Sequence, residues 1–437
     1  SEQPETRISR RVCHNSSRHD GIPVIHWCIL NIYRHRELRH LLRQTLRQTP
    51  VTVISGLRQA GKSTFLQNEP EVAAGRAYAT LDDLDALESA RAEPDRFLGR
   101  ADKFALDEAQ RLPELFLPLK RVVDQNRLPG RFVLTGSANL LLLKRVADSL
   151  AGRAFYAVMH PLNRRELLGR LEEPPVLAHF FTTGKWPEVQ VPSLDEVEVL
   201  RGGFPEVALN PEVNRQLWFD GFERSYLERD VRDLRRVEDL ASFRRLLRLC
   251  ALRVGNVLNA SGLARDVKLS EATVRRHVDL LETLMVIHRL PPFLGNRSSR
   301  LIKSPKLYFA DSGLAAHLAG VTELAASPLE PLRGALLENF VLQNLMAALE
   351  PHLIGVRFHF WHEQGRQEVD FVVEHGRRVI AIEVKAKGRV ESGDTKGLQD
   401  FVQRTPDCLA GVLTYSGREL LPLGERLWAV PLHMLLG

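Results

Sequence analysis

Apolar residues recur along this chain at two spacings, and the spacing changes from one stretch to the next. Leu38, Leu41, Leu42 and Leu46 fall at helical intervals and predict one helix within 34–47. Short apolar runs follow at 51–54, 77–83, 103–107 and 131–137, each short enough and rich enough in β-formers to predict a strand. The stretch 172–201 holds Pro174, Pro175, Pro187 and Pro192 and reads as a loop or linker, whereas 212–235 reads as helix. Leu263, Ala264 and Val267 share one helical face, and Val274, Val278 and Leu281 share the next. Ser270 stands between the two helices as the N-cap of the second. Near the end, 334–345 predicts an amphipathic helix. Strands are predicted at 367–373 and 378–385 around a turn at 374–376, then a helix at 397–404 and strands at 409–414 and 427–431, a small α/β sheet.

The 437 residues exceed what one hydrophobic core organises, so two to four domains are expected. With 44% hydrophobic and 26% charged residues the composition is that of a globular protein. Residues 1 to 30 are polar and arginine-rich and read as a disordered basic tail. The apolar run 22–33 is interrupted by His26, is too short to span a bilayer and lacks a small-residue cleavage pattern, so neither a membrane span nor a signal peptide is expected. Cys13, Cys28, Cys250 and Cys408 are scattered without a C-x-x-C pair, which argues against a disulfide framework or a zinc site and fits a reducing cytoplasm.

The run at 51–54 leads into Gly56-Leu57-Arg58-Gln59-Ala60-Gly61-Lys62-Ser63-Thr64, a complete phosphate loop with a strand before it and a helix after it. The glycines let successive N–H groups face phosphate oxygens. Lys62 supplies a cation for the β- and γ-phosphates of ATP, and Ser63 supplies a hydroxyl ligand for Mg²⁺. The run at 103–107 ends in Asp107-Glu108, a Walker B pattern in which Asp107 serves the Mg²⁺ and Glu108 polarises the attacking water. At the end of the next strand Thr135 and Ser137 are both candidates to sense the γ-phosphate, and plain strand-to-helix capping is the alternative for either. Arg153 is either an arginine finger for a neighbouring subunit or a solvated surface arginine.

Gly56–Ser63, Leu106-Asp-Glu-Ala-Gln110, Leu134-Thr-Gly-Ser137, Ser149-Leu-Ala-Gly-Arg153 and Pro161-Leu-Asn-Arg-Arg-Glu166 occur in this order. They are followed by Gly202-Gly-Phe-Pro-Glu206, Tyr226-Leu-Glu-Arg-Asp230 and Asp311-Ser-Gly-Leu314. Together they resemble a large bacterial and archaeal family of predicted AAA+ ATPases with a C-terminal domain of unknown function. The resemblance implies an α/β multidomain protein: an AAA+ P-loop core, a winged helix-turn-helix and a restriction-endonuclease-like domain. It also implies a homo-oligomer with shared active sites, a ring and possibly a hexamer. The corresponding divisions are the tail at 1–30, the ATPase core at 31–171, a linker and helical lid at 172–234, the winged helix-turn-helix at 235–303 and the nuclease-like domain at 304–437.

In the helix-turn-helix, Thr273, Arg275, Arg276 and His277 are expected on or beside the exposed face of the second helix, where a recognition helix meets DNA. Residues 235–303 carry 14 Lys/Arg against 6 Asp/Glu, more than the +6 surplus of the whole chain. A localised surplus of this kind is an electrostatic footprint of DNA binding. The alternative is a packing module whose arginines are bonded within the assembly.

The last segment places Asp370 at the start of one strand and Glu383 and Lys385 on one face of the next. The D-x₁₂-E-x-K pattern looks like the active centre of PD-(D/E)xK nucleases. Asp370 and Glu383, with Glu338 assisting, would hold one or two Mg²⁺, with Mn²⁺ as a substitute, and Lys385 would position the water. A nuclease fold kept as an inactive scaffold is the alternative, as is an edge-strand hairpin bearing solvated charges.

Overall fold

The five strands β1 (Val51–Gly56), β2 (Ala77–Thr80), β3 (Phe104–Asp107), β4 (Phe132–Thr135) and β5 (Ala154–Met159) pair in parallel in the order β2-β3-β4-β1-β5. β1, β3 and β4 are buried along their whole length, which is why their sequences read as continuous apolar runs and not as alternation. Their carboxyl ends lie along one edge, so the phosphate loop after β1 and Asp107 at the end of β3 open onto the same crevice, with β4 between them. The computed structural model describes residues 33–137, 150–227, 239–295, 300, 303–324, 331–363 and 367–437. From Arg34 to Gly437 the chain forms one compact unit. The basic tail expected at 1–30 lies outside the described residues, as do Glu228, Arg229 and Asp230 of the 226–230 motif.

After the first sheet, the stretch expected as a loop or linker has helices at both ends of a loop spanning 184–195. Val176–Thr183 and Glu196–Arg201 are helices, the first with all its apolar residues buried and the second with Val199 and Leu200 buried and Val197 exposed. Pro174 and Pro175 do not exclude a helix at 176, because proline suits the residues just before a helix begins. The helices Pro205–Leu209 and Arg215–Phe222 come next, then Leu240–Leu252, Ala260–Val267 and Glu271–Thr283, followed by an antiparallel pair, β6 (Ile287–Leu290) and β7 (Lys306–Phe309). The structure thus pairs β7 with β6, on the other side of the boundary expected at 303/304.

The second large sheet contains β8 (Arg357–Glu363), β9 (Gln367–His375), β10 (Arg378–Lys385), β11 (Cys408–Tyr415), β12 (Leu421–Gly424) and β13 (Leu427–Pro431), in the order β12-β13-β11-β10-β9-β8. β8, β9 and β10 form an antiparallel meander, and β11 and β13 run parallel to β10. The helix Pro331–Leu349 differs from the amphipathic expectation, because it is buried on almost every side. Its polar residues are bonded where they are buried. Asn339 accepts the Phe309 N–H (2.6 Å) and donates to the Phe309 carbonyl (3.0 Å), and Gln343 accepts the Ser312 N–H (2.6 Å). One continuous core runs from Leu57 in the phosphate loop through the three central helices to β10, β11 and Leu436, so the middle and last segments do not pack independently.

Candidate functional site

Nucleotide crevice. Gly61 takes φ +95°, a left-handed conformation open to glycine at no steric cost, and starts the helix Lys62–Asn68. The buried Lys62 ammonium donates to the carbonyls of Gly56 (3.0 Å) and Leu57 (2.9 Å), which arches the loop around it. Asp107 is buried and accepts from Tyr78 Oη (3.1 Å), from the Glu108 N–H (3.0 Å) and from Thr135 Oγ1. Thr135 therefore sits on the Walker B carboxylate itself. Ser137 Oγ is buried without a partner among the described atoms. Glu108 stands at φ +55°, a conformation that costs a non-glycine residue energy and holds its side chain off the strand direction, where it accepts from Gln110. Burial, followed by the neighbouring Asp107 charge, raises its pKa. These residues fit ATP and Mg²⁺ in donor type: a lysine, a hydroxyl at Ser63, a buried carboxylate and an orphaned hydroxyl. Arg153 is not brought here. It precedes β5 at the opposite edge of the sheet and makes a two-toothed ion pair with Asp124 (2.7 Å for each bond).

The sequence reading missed what surrounds this crevice. The buried Arg36, ahead of the first helix (Leu38–Thr45), donates to the phosphate-loop carbonyl of Ala60 (2.8 Å), to the carbonyl of His160 (2.5 Å) and to Glu166 Oε2 (3.0 Å). Glu166 Oε1 accepts the Glu37 N–H (2.7 Å). Glu37 in turn accepts from Arg165 (2.7 Å) and pairs with His352 (2.8 Å) of the last segment. Arg164 N–H donates to Asn344 Oδ1 (2.6 Å), and Arg165 donates to the Gly437 carbonyl (2.8 Å). The Pro161–Glu166 motif is therefore a buried junction between the phosphate loop and the far end of the chain. The Gly202–Glu206 and Asp311–Leu314 motifs meet in a second junction. Asp311 accepts the Gly203 N–H (2.6 Å) and the Leu314 N–H (2.8 Å), and a Cβ on Gly203 would lie 2.1 Å from the Leu162 carbonyl oxygen. Pro205 reaches Gly61, so this segment borders the nucleotide crevice.

Carboxylate centre. The ladder between β9 and β10 ends at Phe371–Ile382. Where the next bond would fall, Asp370 Oδ2 accepts the Val384 N–H (2.8 Å). This brings Asp370 beside Glu383, and Glu338 approaches from the central helix. Lys385 Nζ donates to Glu383 Oε1 (2.7 Å), while Glu383 Oε2 is buried without a partner among the described atoms. Burial, followed by the Asp370 charge, pushes Glu338 well up and Glu383 up to about 8. Burial also raises Asp370, against the pull of Lys306. Three members were not foreseen. Lys306 of β7 is buried, pairs with Glu368 and stands 3.9 Å from Asp370 Oδ1, and Tyr308 Oη donates to Glu338 Oε2 (3.1 Å). The shared side of β7 at positions 306 and 308 was the available signal, but only pairing with β6 points it here. The carboxylate oxygens, one of them orphaned, fit a hard divalent cation in donor type, and among the described residues no three of these side chains bring an oxygen each within 4.8 Å of one another.

Helix-turn-helix. Ser270 Oγ accepts the Thr273 N–H (3.1 Å), the N-cap expected. Arg275 and Arg276 are exposed and Thr273 is partly so. Arg275 pairs with Glu271 and Arg276 donates to Thr273 Oγ1 (3.2 Å). The expectation for His277 is corrected: it is buried, edge-on to Phe243 at 5.4 Å, because position 277 turns toward the neighbouring helix with Val274 and Val278. Much of the basic surplus is also committed internally. Arg248, Arg253, Arg289 and Arg300 pair with Glu223, Asp266, Glu282 and Glu374.

Three family matches divide the chain. Residues 48–168 match the AAA domain, residues 196–325 a domain of unknown function (DUF8612) and residues 333–435 a second one (DUF4143). An uncharacterized protein of Mycobacterium tuberculosis (strain ATCC 25618 / H37Rv) is 29% identical over 410 residues, which cover 93% of this chain and 85% of that protein. One of Haemophilus influenzae is 23% identical over 292 residues, covering 62% and 69%. Among solved structures, a Walker-type ATPase of Pyrococcus abyssi aligns with 20% identity and a TM-score of 0.37, over 64% of this chain and 94% of that one. The phosphate loop, Walker B strand and parallel sheet lie within the AAA match, so this part of the chain is an AAA-type P-loop ATPase module, and the chain continues into a C-terminal DUF4143 segment.

Proposed function

We propose that this ATPase works on DNA and carries a Mg²⁺-dependent phosphodiesterase centre of the PD-(D/E)xK kind in its last segment. The observation that carries the reading is the convergence of Glu338, Asp370, Glu383 and Lys385 on one partly open patch around buried Asp370, with an orphaned Glu383 oxygen. In this reading the helix, meander, helix and parallel strand around it would serve as the restriction-endonuclease-like core, and the three helices with the β6–β7 pair would serve as the winged helix. A divalent ion bound there supplies charge neutralisation at phosphate and a lowered water pKa. Asp370 and Glu383 would hold it, with Glu338 behind them. Lys385, fixed on Glu383 Oε1, is placed to orient a water or a phosphate oxygen. In the ATPase module, Lys62 and Ser63 would hold phosphates and Mg²⁺ with Asp107, and Glu108, with its raised pKa, suits a proton acceptor for the attacking water. Arg275 and Arg276 are the exposed cations that would meet DNA phosphates, and Arg153 would serve a neighbouring subunit in a homo-oligomer.

The second reading is an ATP-controlled binding switch with an inactive nuclease-like scaffold. It is favoured by the depth of the centre, since Asp370 is only 6% exposed. The test is cleavage of single- and double-stranded DNA with Mg²⁺ or Mn²⁺ by wild type, Asp370→Ala and Lys62→Ala, with and without ATP. Cleavage lost in Asp370→Ala supports the nuclease, and the Lys62→Ala lane reads its dependence on ATP. Intact ATP hydrolysis without cleavage in any lane selects the switch.

A further inference from the structure

The carboxylate centre gathers more acidic groups than its own segment has cations to pair with them. Glu338, Glu368, Asp370 and Glu383 face one another there, and within that segment Lys385 is the cation bonded to them, through Glu383. The second cation comes from elsewhere in the chain. Lys306 is 5% exposed at its side chain and is surrounded by Glu368, Asp370 and Glu338. It belongs to the segment matched by DUF8612, whereas all four carboxylates lie in the segment matched by DUF4143.

Its position is fixed from both sides. β7 is zipped to β6 through Leu290–Lys306 and Ile287–Phe309, and Asn339 of the central helix clamps both backbone groups of Phe309. The Leu307 N–H donates to the Asn256 carbonyl (3.0 Å), and the Leu307 carbonyl accepts from Gly255 (2.8 Å). Lys306 and Tyr308 therefore face the carboxylates from a strand that has no slack. A primary ammonium and a divalent metal compete for the same carboxylate oxygens, because each needs several of them to offset its desolvation.

We propose that Lys306 is a resident cation of the centre. Its ammonium, paired with Glu368 and 3.9 Å from Asp370 Oδ1, occupies one side of the cluster, so the centre takes a single divalent ion between Asp370 and Glu383, where the orphaned Glu383 oxygen lies. This rests on the metal-centre reading above and narrows its one or two ions to one. Lys306 is a positioning residue in this assignment: it sets how many ions bind and how tightly, without being a ligand.

The experiment is a Mn²⁺ titration of the full-length, nucleotide-free protein, with free Mn²⁺ counted by electron paramagnetic resonance. Asp370→Asn measured in parallel defines the background. Wild type takes one Asp370-dependent ion per chain. Lys306→Met takes two, and binds the first about tenfold tighter or more once the competing charge is gone. Lys306→Arg, which keeps the charge, still takes one. Two ions in wild type, or a Lys306→Met titration matching wild type, overturn the proposal while leaving the metal centre standing. No Asp370-dependent ion in either protein removes the metal centre itself, and the proposal with it. Should Lys306→Met be too unstable to titrate, its melting temperature decides. Mn²⁺ raises it more than that of wild type if the ion replaces the ammonium, and an equal or smaller rise refutes the replacement.

Discussion

Arg36→Met tests the junction behind the phosphate loop. The perturbation removes one partner of a buried ion pair, Arg36 Nε to Glu166 Oε2 at 3.0 Å, whose side chains are 5% and 4% exposed. It also removes the bonds that Arg36 gives to Ala60 and His160. Breaking a buried pair from one side costs about 3–5 kcal/mol, because the other charge stays buried without compensation. Burial already raises the Glu166 pKa, and Arg36 is the group that chiefly opposes the rise. Without Arg36 the folded-state pKa moves further above its unfolded value. The native state then binds more protons than the unfolded state, and stability falls as pH rises through the folded pKa. The expected result is a loss of about 3–5 kcal/mol at neutral pH, part of it regained at pH 5. In Arg36→Met/Glu166→Gln the coupling should appear as recovery of about 1–3 kcal/mol relative to additivity. Urea unfolding at pH 5 and pH 8 of wild type, both single variants and the double variant completes the cycle, and the KM for ATP reports on the loop. Additive single costs, or an Arg36→Met loss that does not ease at low pH, would refute the account of Glu166 as a carboxylate held by Arg36.

Three further outcomes are expected. Glu108→Gln should slow ATP hydrolysis about 10²–10⁴-fold while nucleotide binding persists, measured as turnover against fluorescent-nucleotide affinity; an equal loss of both would contradict its role toward water. Asp311→Asn leaves one of two buried backbone donors, on Gly203 or Leu314, facing an amide nitrogen, and should cost about 1–3 kcal/mol in chemical denaturation; a neutral change would mean that the two motifs are not joined through this carboxylate. If exposed Arg276 meets a phosphate, Arg276→Ala should flatten the salt dependence of DNA affinity by about 0.9 in log–log slope, whereas buried His277→Gln should leave that slope unchanged and lower stability instead.

The residues of the nucleotide crevice were legible because they act within one turn of chain. The Gly56–Ser63 loop and the Asp107-Glu108 pair are contiguous, and strand and helix geometry alone sets how each is presented. D-x₁₂-E-x-K was legible for a similar reason, since a hairpin and a two-residue period bring its members together. The loop reading of 172–201 holds over 184–195, with Pro187 and Pro192, and fails at Val176–Thr183, where prolines were weighed above an apolar run that a buried helix uses. His277 was misread because a helical face predicted from its own apolar residues does not reveal how wide a neighbouring helix makes the buried arc.

By itself, then, the sequence determined the ATP-type phosphate loop, its acidic partner and the carboxylate-lysine pattern near the end, all of which are local geometry. Only the tertiary structure decided which charges those groups meet. Arg36 reaches Glu166 across 130 residues, and Lys306 enters a carboxylate cluster of another segment from a strand pinned by Asn339. No period along the chain encodes such meetings. Buried charges are stable only beside their counter-charges, and the packing of whole elements is what sets those distances.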